Sequence, residues 1–172
     1  MKNIKRLKIK NSSGFTLVEL LAVIVVLAIV MGLAAVGISN VLDGTRKSAF
    51  AADAKTYIQG ARSLVNSDQA NALLGGTTTY SPSCVTGGTN YIPLELIPLE
   101  QGGKSPYGQD YLKGTLTAVQ TGLTDIGNNS YVKVEATVTA GDCKIEYSIK
   151  LTDGVKTIAE TKEAEVEASK VQ

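Results

Sequence analysis

The sequence predicts an α+β protein, in which one long N-terminal α-helix packs on a small antiparallel β-sheet. Three patterns carry this prediction. Residues 20–38 form an uninterrupted apolar run, and apolar side chains then recur at helical spacing as far as Val65. Residues 132–151 instead alternate between apolar and polar side chains, as in antiparallel strands that bury one face. We expect that face to cover the apolar stripe of the helix.

The chain begins with a basic segment, residues 1–14, ahead of the apolar run. This segment holds five cations and no acid, which places the N-terminus on the cytoplasmic side of a membrane under the positive-inside rule. The apolar run makes a helix on the order of 28 Å long at ~1.5 Å per residue, close to the ~30 Å hydrocarbon core of a bilayer. The pattern therefore predicts a single-pass membrane precursor.

Glu19 is a carboxylate at the edge of the predicted span. An acid in a membrane segment costs up to about 2.5–3.5 kcal/mol on insertion scales, so it is a functional candidate by default. Gly14 lies before the apolar run, whereas an ordinary secretory signal is cut after its apolar stretch. A protease at the cytoplasmic face would remove the leader after Gly14 and leave the apolar helix on the mature chain.

These N-terminal residues resemble the type IV prepilin family, which includes type IV pilins, the pseudopilins of type II secretion and competence pilins. The matching residues are Gly14, Phe15, Thr16, Leu17, Glu19 and the apolar run to Ile38. The resemblance implies cleavage between Gly14 and Phe15 by a membrane prepilin peptidase, and N-methylation of Phe15. Glu19 then lies four residues beyond the new N-terminus, at the family's assembly position. The family also implies the pilin fold, a membrane platform protein and a cytoplasmic assembly ATPase.

The resemblance gives Glu19 a physical role in self-assembly. Trimming turns Phe15 into an ammonium that lies in a poorly hydrated region when subunits stack. Two opposite charges ~4 Å apart attract by about 4 kcal/mol at an effective dielectric of ~20, before desolvation is subtracted. Because a buried ion pair adds little net stability, we expect Glu19 and the neighbour's Phe15 to set the axial register. The simpler alternative is a lone anchor whose Glu19 reaches up to the headgroups.

Four segments follow from these patterns: a leader at 1–14, a transmembrane and filament-core helix at 15–38, an amphipathic helix at 39–74 and a head at 75–172. The stripe of the amphipathic helix comprises Phe50, Ala54, Tyr57, Ile58, Ala61 and Val65. We expect Gly75-Gly76 to end the helix, because glycine readily takes the left-handed cap conformation. Many pilins carry a proline in the middle of the apolar helix, and its absence here favours a continuous helix.

The head is expected to begin with a loop at 75–91, which is rich in Thr, Ser and Gly. Three prolines then allow only a short turn or helix at 94–99; they are Pro93, Pro98 and Pro106. The turn Pro106-Tyr107-Gly108 looks like one that leads into the first head strand of many pseudopilins and Gram-positive pilins.

Strands are predicted at 111–120, 132–139 and 143–151, with a shorter fourth strand at 155–159. Gly141-Asp142 is the predicted hairpin turn between the second and third strands. Residues 160–172 are charged and show no clear apolar face, so we expect a loosely ordered or partly helical tail.

The two cysteines, Cys84 and Cys143, lie in the predicted loop and at the start of the third predicted strand. An exported head meets an oxidising environment, and a bridge would close a loop of about 60 residues, worth roughly 4 kcal/mol in the chain-entropy model. This favours a disulfide. Two free thiols are the alternative, because many Gram-positive surface proteins avoid such bonds.

The composition argues against several function classes. Histidine is absent and only two cysteines exist, so no zinc-ligand set or Cys/His nucleophile can be assembled. Removing the five leader cations from the 17 Lys and Arg leaves 12 against 16 acidic residues, a net side-chain charge of −4. Nucleic-acid binding therefore has little electrostatic support. We expect no catalytic site, no metal and no cofactor.

Two other functions compete with that of a filament subunit. One is a monomeric exported binding module on a signal anchor, and the other is a secreted protein cut near Ala34-Ala35-Val36-Gly37. A small head with one sheet suits a major pilin, although a minor pilin or pseudopilin fits nearly as well. The lysine-rich leader and short head favour a Gram-positive system. Adhesion, motility, DNA uptake and secretion are filament activities that the residues do not separate.

Overall fold

The computed structural model describes residues 14–98, 104–112, 118–121 and 129–172. The α-helix is α1 (Leu17–Leu73), and the strands are β1 (Gly88–Pro93), β2 (Gln120–Thr121), β3 (Tyr131–Thr139), β4 (Asp142–Thr152) and β5 (Thr157–Lys162). Short 3-10 helices occupy Leu94–Leu96, Glu163–Glu165 and Ala168–Lys170. The strands form one antiparallel sheet in the order β2-β1-β3-β4-β5. The predicted α+β class is confirmed.

The chain divides into two compact units between Leu42 and Asp43. In the first unit, the large apolar side chains of α1 from Leu17 to Leu33 are all close to half exposed or more. By length and composition this helix is able to cross a membrane, although a signal sequence would pass the same test. A helix that is apolar on all sides needs lipid or other protein around it.

The second unit has a core between the C-terminal half of α1 and one face of the sheet. The predicted helix stripe is confirmed, since all six of its side chains are buried. From the sheet, the core takes Ile92 of β1, Val132 and Val134 of β3, and Ile149 and Leu151 of β4. Phe50 and Tyr57 each contact the ring of Tyr111 edge to face, at centroid distances of 5.4 and 5.7 Å. Helix and sheet thus share one apolar layer.

The predicted end of the helix is confirmed at Gly75-Gly76. Helix α1 ends at Leu73, and Gly75 takes a φ of 84°. The N–H of Gly76 then donates to the carbonyl of Asn71 at 2.9 Å, which satisfies a carbonyl at the end of the helix. A residue with a Cβ is strained at such a φ, so the glycine is needed here.

The hairpin of β3 and β4 confirms the second and third predicted strands. Val134 pairs with Tyr147 and Val132 with Ile149, so the alternating apolar residues share the inner face. The turn itself is one residue earlier than predicted. Ala140 and Gly141 have φ values of 52° and 92°, whereas Asp142 already pairs with Thr139. Two left-handed residues match the twist of a tight hairpin.

The first predicted strand, at 111–120, is wrong where the structure describes it. Tyr111 and Leu112 lie in a connection, residues 113–117 fall outside the described residues, and only Gln120 belongs to a strand, β2. The strand next to β3 is instead β1, at the end of the predicted loop. Its inward-facing residues are Asn90 and Ile92. Because Asn90 is polar, the strand does not show the alternation of apolar and polar residues that would predict it. Asn90 donates to the carbonyl of Tyr80 at 3.2 Å, which satisfies its buried amide.

The expectation of a loosely ordered tail is also wrong, although its partly helical character is present. The fourth predicted strand corresponds to β5, which starts and ends later than predicted. Two 3-10 helices follow it. Val166 and Val171 are buried, and Gln172 exchanges two backbone hydrogen bonds with Thr157, both 3.0 Å long. Two valines five residues apart fit neither the helical nor the strand period, so the sequence pattern did not predict their burial.

Asp68 of α1 is a buried acid that holds the loop after the helix. Its Oδ2 accepts the N–H groups of Thr79 (2.6 Å), Tyr80 and Ser81 (3.1 Å). Replacing Asp68 by Ala leaves three N–H groups without this acceptor, and we expect the free energy of unfolding to fall by about 1–3 kcal/mol. Urea unfolding followed by circular dichroism measures the change. The exposed variant Glu167→Ala is the control, and equal losses in both variants would contradict the role of Asp68.

Candidate functional site

The N-terminus of α1 is closed by a reciprocal set of hydrogen bonds between Thr16 and Glu19. The N–H of Thr16 donates to Glu19 Oε2 at 2.9 Å, and the Thr16 hydroxyl donates to the same oxygen at 2.8 Å. The N–H of Glu19 in turn approaches Thr16 Oγ1 at 3.3 Å. Thr16 and Glu19 therefore form a capping box, in which each side chain satisfies a backbone N–H of the other residue.

The cap fixes one carboxylate oxygen of Glu19 and not the other. Both bonds from Thr16 end on Oε2, so Oε1 takes no part in the cap. The carboxylate also lies in the first turn of α1, where the helix dipole favours negative charge. Helix geometry thus offsets part of the cost of an acid at the edge of an apolar segment.

The Gly14–Phe15 junction lies just before this cap. Residues 14–16 are outside the helix, and the Phe15 side chain is 81 % exposed. A Cβ built on Gly14 would meet no heavy atom within 4 Å. The peptide bond between Gly14 and Phe15 is therefore an accessible, non-helical bond, as a peptidase needs. The remainder of the predicted leader, residues 1–13, falls outside the described residues.

Thr16 is a functional candidate whose capping role was not predicted from the sequence. It belongs to the matching N-terminal motif. A signal was present, since Ser or Thr followed three residues later by Glu, ahead of an apolar run, is the sequence signature of a capping box. Thr16-Leu17-Val18-Glu19 fits that signature. The position of Glu19 in the apolar segment indicates a role in assembly, and it does not by itself indicate a role in helix capping.

The comparison with protein-family models adds independent support at these residues. Residues 9–35 match the model of the prokaryotic N-terminal methylation motif. The chain carries the type IV prepilin signature. The prepilin signature implies processing by a prepilin peptidase, contact with pilus-assembly machinery in general, and membrane anchoring of the precursor. The motif is typical of type IV pilin-like and pseudopilin proteins, which are structural proteins.

The match ends before the second unit of the chain. The comparisons with curated proteins and with solved structures gave no significant match. The N-terminal motif therefore carries the assignment by itself, and the properties of the head rest on its own geometry.

In the head, the structure brings Cys84 and Cys143 together. Their sulfur atoms are 1.96 Å apart and their Cα atoms 5.4 Å apart, across 59 residues of sequence. Both residues are exposed, and Cys143 lies near the hairpin end of β4. This arrangement joins the loop after α1 to the sheet. That the exported protein carries this bond stays a prediction.

Two carboxylates of the head, the half-buried Asp53 and the buried Asp153, each accept a hydroxyl group. Tyr111 donates to Asp53 at 2.6 Å, and Ser105 donates to Asp153 at 2.5 Å. Burial and the bond to Asp53 raise the pKa of the Tyr111 hydroxyl, so it stays a protonated donor. Within the described ranges, no group of three or more Cys, Asp or Glu side chains is placed to hold a metal ion. The absence of an enzymatic or metal site remains an expectation.

Proposed function

We propose that this chain is a structural subunit, and the major one, of an extracellular type IV pilus-like filament. In this proposal it is made as a membrane prepilin, cleaved after Gly14, N-methylated at Phe15 and polymerised through its N-terminal helix. The observation that carries the proposal is the prepilin motif at residues 9–35, which includes an accessible Gly14–Phe15 bond and a capped Glu19. The small single-sheet head favours a major subunit over an elaborated minor one.

The geometry of Glu19 supports a role in register. Cleavage would create an ammonium on Phe15, and Oε1 of a neighbour's Glu19 is the oxygen that the cap does not use. Glu19 is therefore able to cap its own helix and accept a second subunit's N-terminus at the same time. The exposed apolar side chains of α1 would be covered by lipid before assembly and by other subunits after it.

A pseudopilin of a type II secretion or competence system is the second candidate. It is supported by α1, which runs from Leu17 to Leu73 without a break in its helical assignment and without an internal proline. A monomeric binding module on a signal anchor has less support, because an uncleaved anchor gives no role to the Gly14–Phe15 junction.

The mature N-terminus tests the proposal and separates it from the alternatives. We expect mass spectrometry to find a chain that starts at Phe15 and is heavier by one methyl group. A chain that starts at Met1 would support the anchor, and one that starts near Ile38 would support the secreted form. Either result would contradict the proposal.

Gly14→Val is expected to block processing completely, because a branched side chain at the cleavage site obstructs a peptidase that recognises glycine. An immunoblot of membranes would show only the full-length precursor. Gly44→Ala is the matched control, since Gly44 is a glycine of α1 with open space around it. Normal cleavage of the Gly14→Val precursor would place the processing site elsewhere.

A further inference from the structure

The second unit carries a cationic and aromatic surface that includes residues of α1 just after Asp43. We define the Tyr107 patch as Arg46, Lys47, Tyr107, Leu112, Val155 and Lys156. Its members come from four places: α1 just after Asp43, the turn at 105–108, the connection at Leu112, and the connection between β4 and β5. All belong to the second unit of the chain.

Two cations share the ring of Tyr107. The Arg46 guanidinium lies 5.9 Å and the Lys156 ammonium 5.8 Å from its centroid. The Tyr107 hydroxyl donates to Asp43 at 3.2 Å, and Lys47 lies 3.6 Å from the same carboxylate. The ring is thus held in place while its flanks carry positive charge.

The patch has an excess of positive charge. Asp43 adjoins the patch and, among the described residues, is the one exposed carboxylate that contacts its members, which include the cations Arg46, Lys47 and Lys156. Asp153 lies beneath the patch, but it is buried and accepts the Ser105 hydroxyl and the N–H groups of residues 155 and 156. Lys104 and Asp110 pair through their backbones beside the turn, and their opposite formal charges sum to zero.

Exposed aliphatic side chains complete the patch. Val155 is 64 % exposed, and Leu112 lies at the surface close to Gly154, within 3.8 Å of a Cβ built there. Cations, an aromatic ring and exposed aliphatic groups together are the composition that protein surfaces show at a membrane interface.

Chain connectivity keeps the patch near a bilayer. Arg46 lies eight residues after Ile38, the last residue of the apolar run, which is about 12 Å of helical rise. With the N-terminus in the cytoplasm, as the proposed function requires, this position is on the outer side of the membrane.

We infer that the Tyr107 patch binds anionic phospholipid headgroups of the outer leaflet while the subunit is in the membrane. Arg46, Lys47 and Lys156 would contact the phosphates, and Val155 and Leu112 would enter the headgroup region. Such contact would hold unassembled subunits with the head against the bilayer, and it would be exchanged for contacts with other subunits on assembly. The inference rests on the proposed membrane orientation, and on no other part of the proposed function.

A single tryptophan tests the inference, because the sequence contains none. The full chain with Val155→Trp is placed at one copy per disc in lipid nanodiscs of phosphatidylcholine, with or without phosphatidylglycerol, at equal content of brominated lipid. We expect bromine quenching to rise at least about twofold with the anionic lipid and to return to the lower value in high salt. Val85→Trp, in an exposed loop, is the matched control and should be quenched equally in both discs.

The charge dependence should follow the named cations. Adding R46Q and K156Q to the V155W chain should remove the rise. The salt effect on the V155W chain alone gives the same test without any change to the cations. Equal quenching in both discs would overturn the inference. Quenching that depends on copies per disc and not on lipid charge would assign the patch to a second subunit, and would overturn it as well. A chain that fails to enter the discs would contradict the membrane span on which the inference depends, and this separates that failure from the others.

Discussion

Glu19→Ala is expected to leave cleavage after Gly14 intact and to reduce surface filaments by at least about tenfold. The carboxylate lies beyond the cleaved bond, so the peptidase still finds its site. Assembly then buries the ammonium of Phe15 without an opposite charge, and a loss of only 1.4 kcal/mol per contact already lowers an association constant tenfold. Shearing and sedimentation of surface filaments, with an immunoblot of the membrane fraction, measures both steps.

The capping box requires a control that separates charge from helix capping. Glu19→Gln keeps an oxygen that can accept the N–H of Thr16, but it removes the charge. Thr16→Val makes the opposite change, since it removes the capping hydroxyl and retains the carboxylate. We expect Glu19→Gln to resemble Glu19→Ala, and Thr16→Val to lose about 1 kcal/mol of helix stability while still assembling. Normal filament yield from Glu19→Gln would contradict charge pairing.

Removing the pair Cys84 and Cys143 is expected to lower the free energy of unfolding by about 4 kcal/mol, in the chain-entropy model for a loop of ~60 residues. The bond joins the loop after α1 to β4, so its loss frees a long stretch of the unfolded chain. Urea unfolding of the C84S/C143S variant against the parent measures the change. The parent under reducing conditions should behave like the variant.

A thiol count decides whether the bond exists in the exported protein. We expect no alkylation of the denatured protein before reduction and two alkylated cysteines after it, as read by intact mass. Single variants, Cys84→Ser or Cys143→Ser, should resemble the double variant in stability. Two reactive thiols in protein taken directly from the cell surface would contradict the disulfide.

The sequence predicted those elements whose side chains follow a regular period. The stripe from Phe50 to Val65 and the alternation in β3 and β4 are local patterns, and burial follows them closely. Strand β1 has no such pattern, because the buried Asn90 depends on partners at Tyr80 and Thr121 that are distant in sequence. The buried valines of the tail are concealed in the same way, since Val171 is positioned by backbone pairing with β5.

The residues of the candidate site could be predicted from the sequence, but most of their contacts could not. Gly14, Phe15 and Glu19 are recognisable because charge, glycine and an apolar run occur in a fixed order. The reciprocal bonds of Thr16 and Glu19 fit the sequence signature of a capping box, whereas the three N–H groups that bind Asp68 emerge only from the structure. An acid within a helix is ordinarily solvent-exposed, so no local pattern distinguishes Asp68.

The most direct test of charge pairing is the separation, in an assembled filament, between the N-terminal nitrogen of Phe15 and the Glu19 carboxylate of the adjacent subunit. A filament structure at side-chain resolution measures it. Our account predicts a separation of about 4 Å or less, with Oε1 toward the ammonium and Oε2 still bound to Thr16 of its own chain. An ammonium that lies away from every Glu19 of its neighbours would contradict the account.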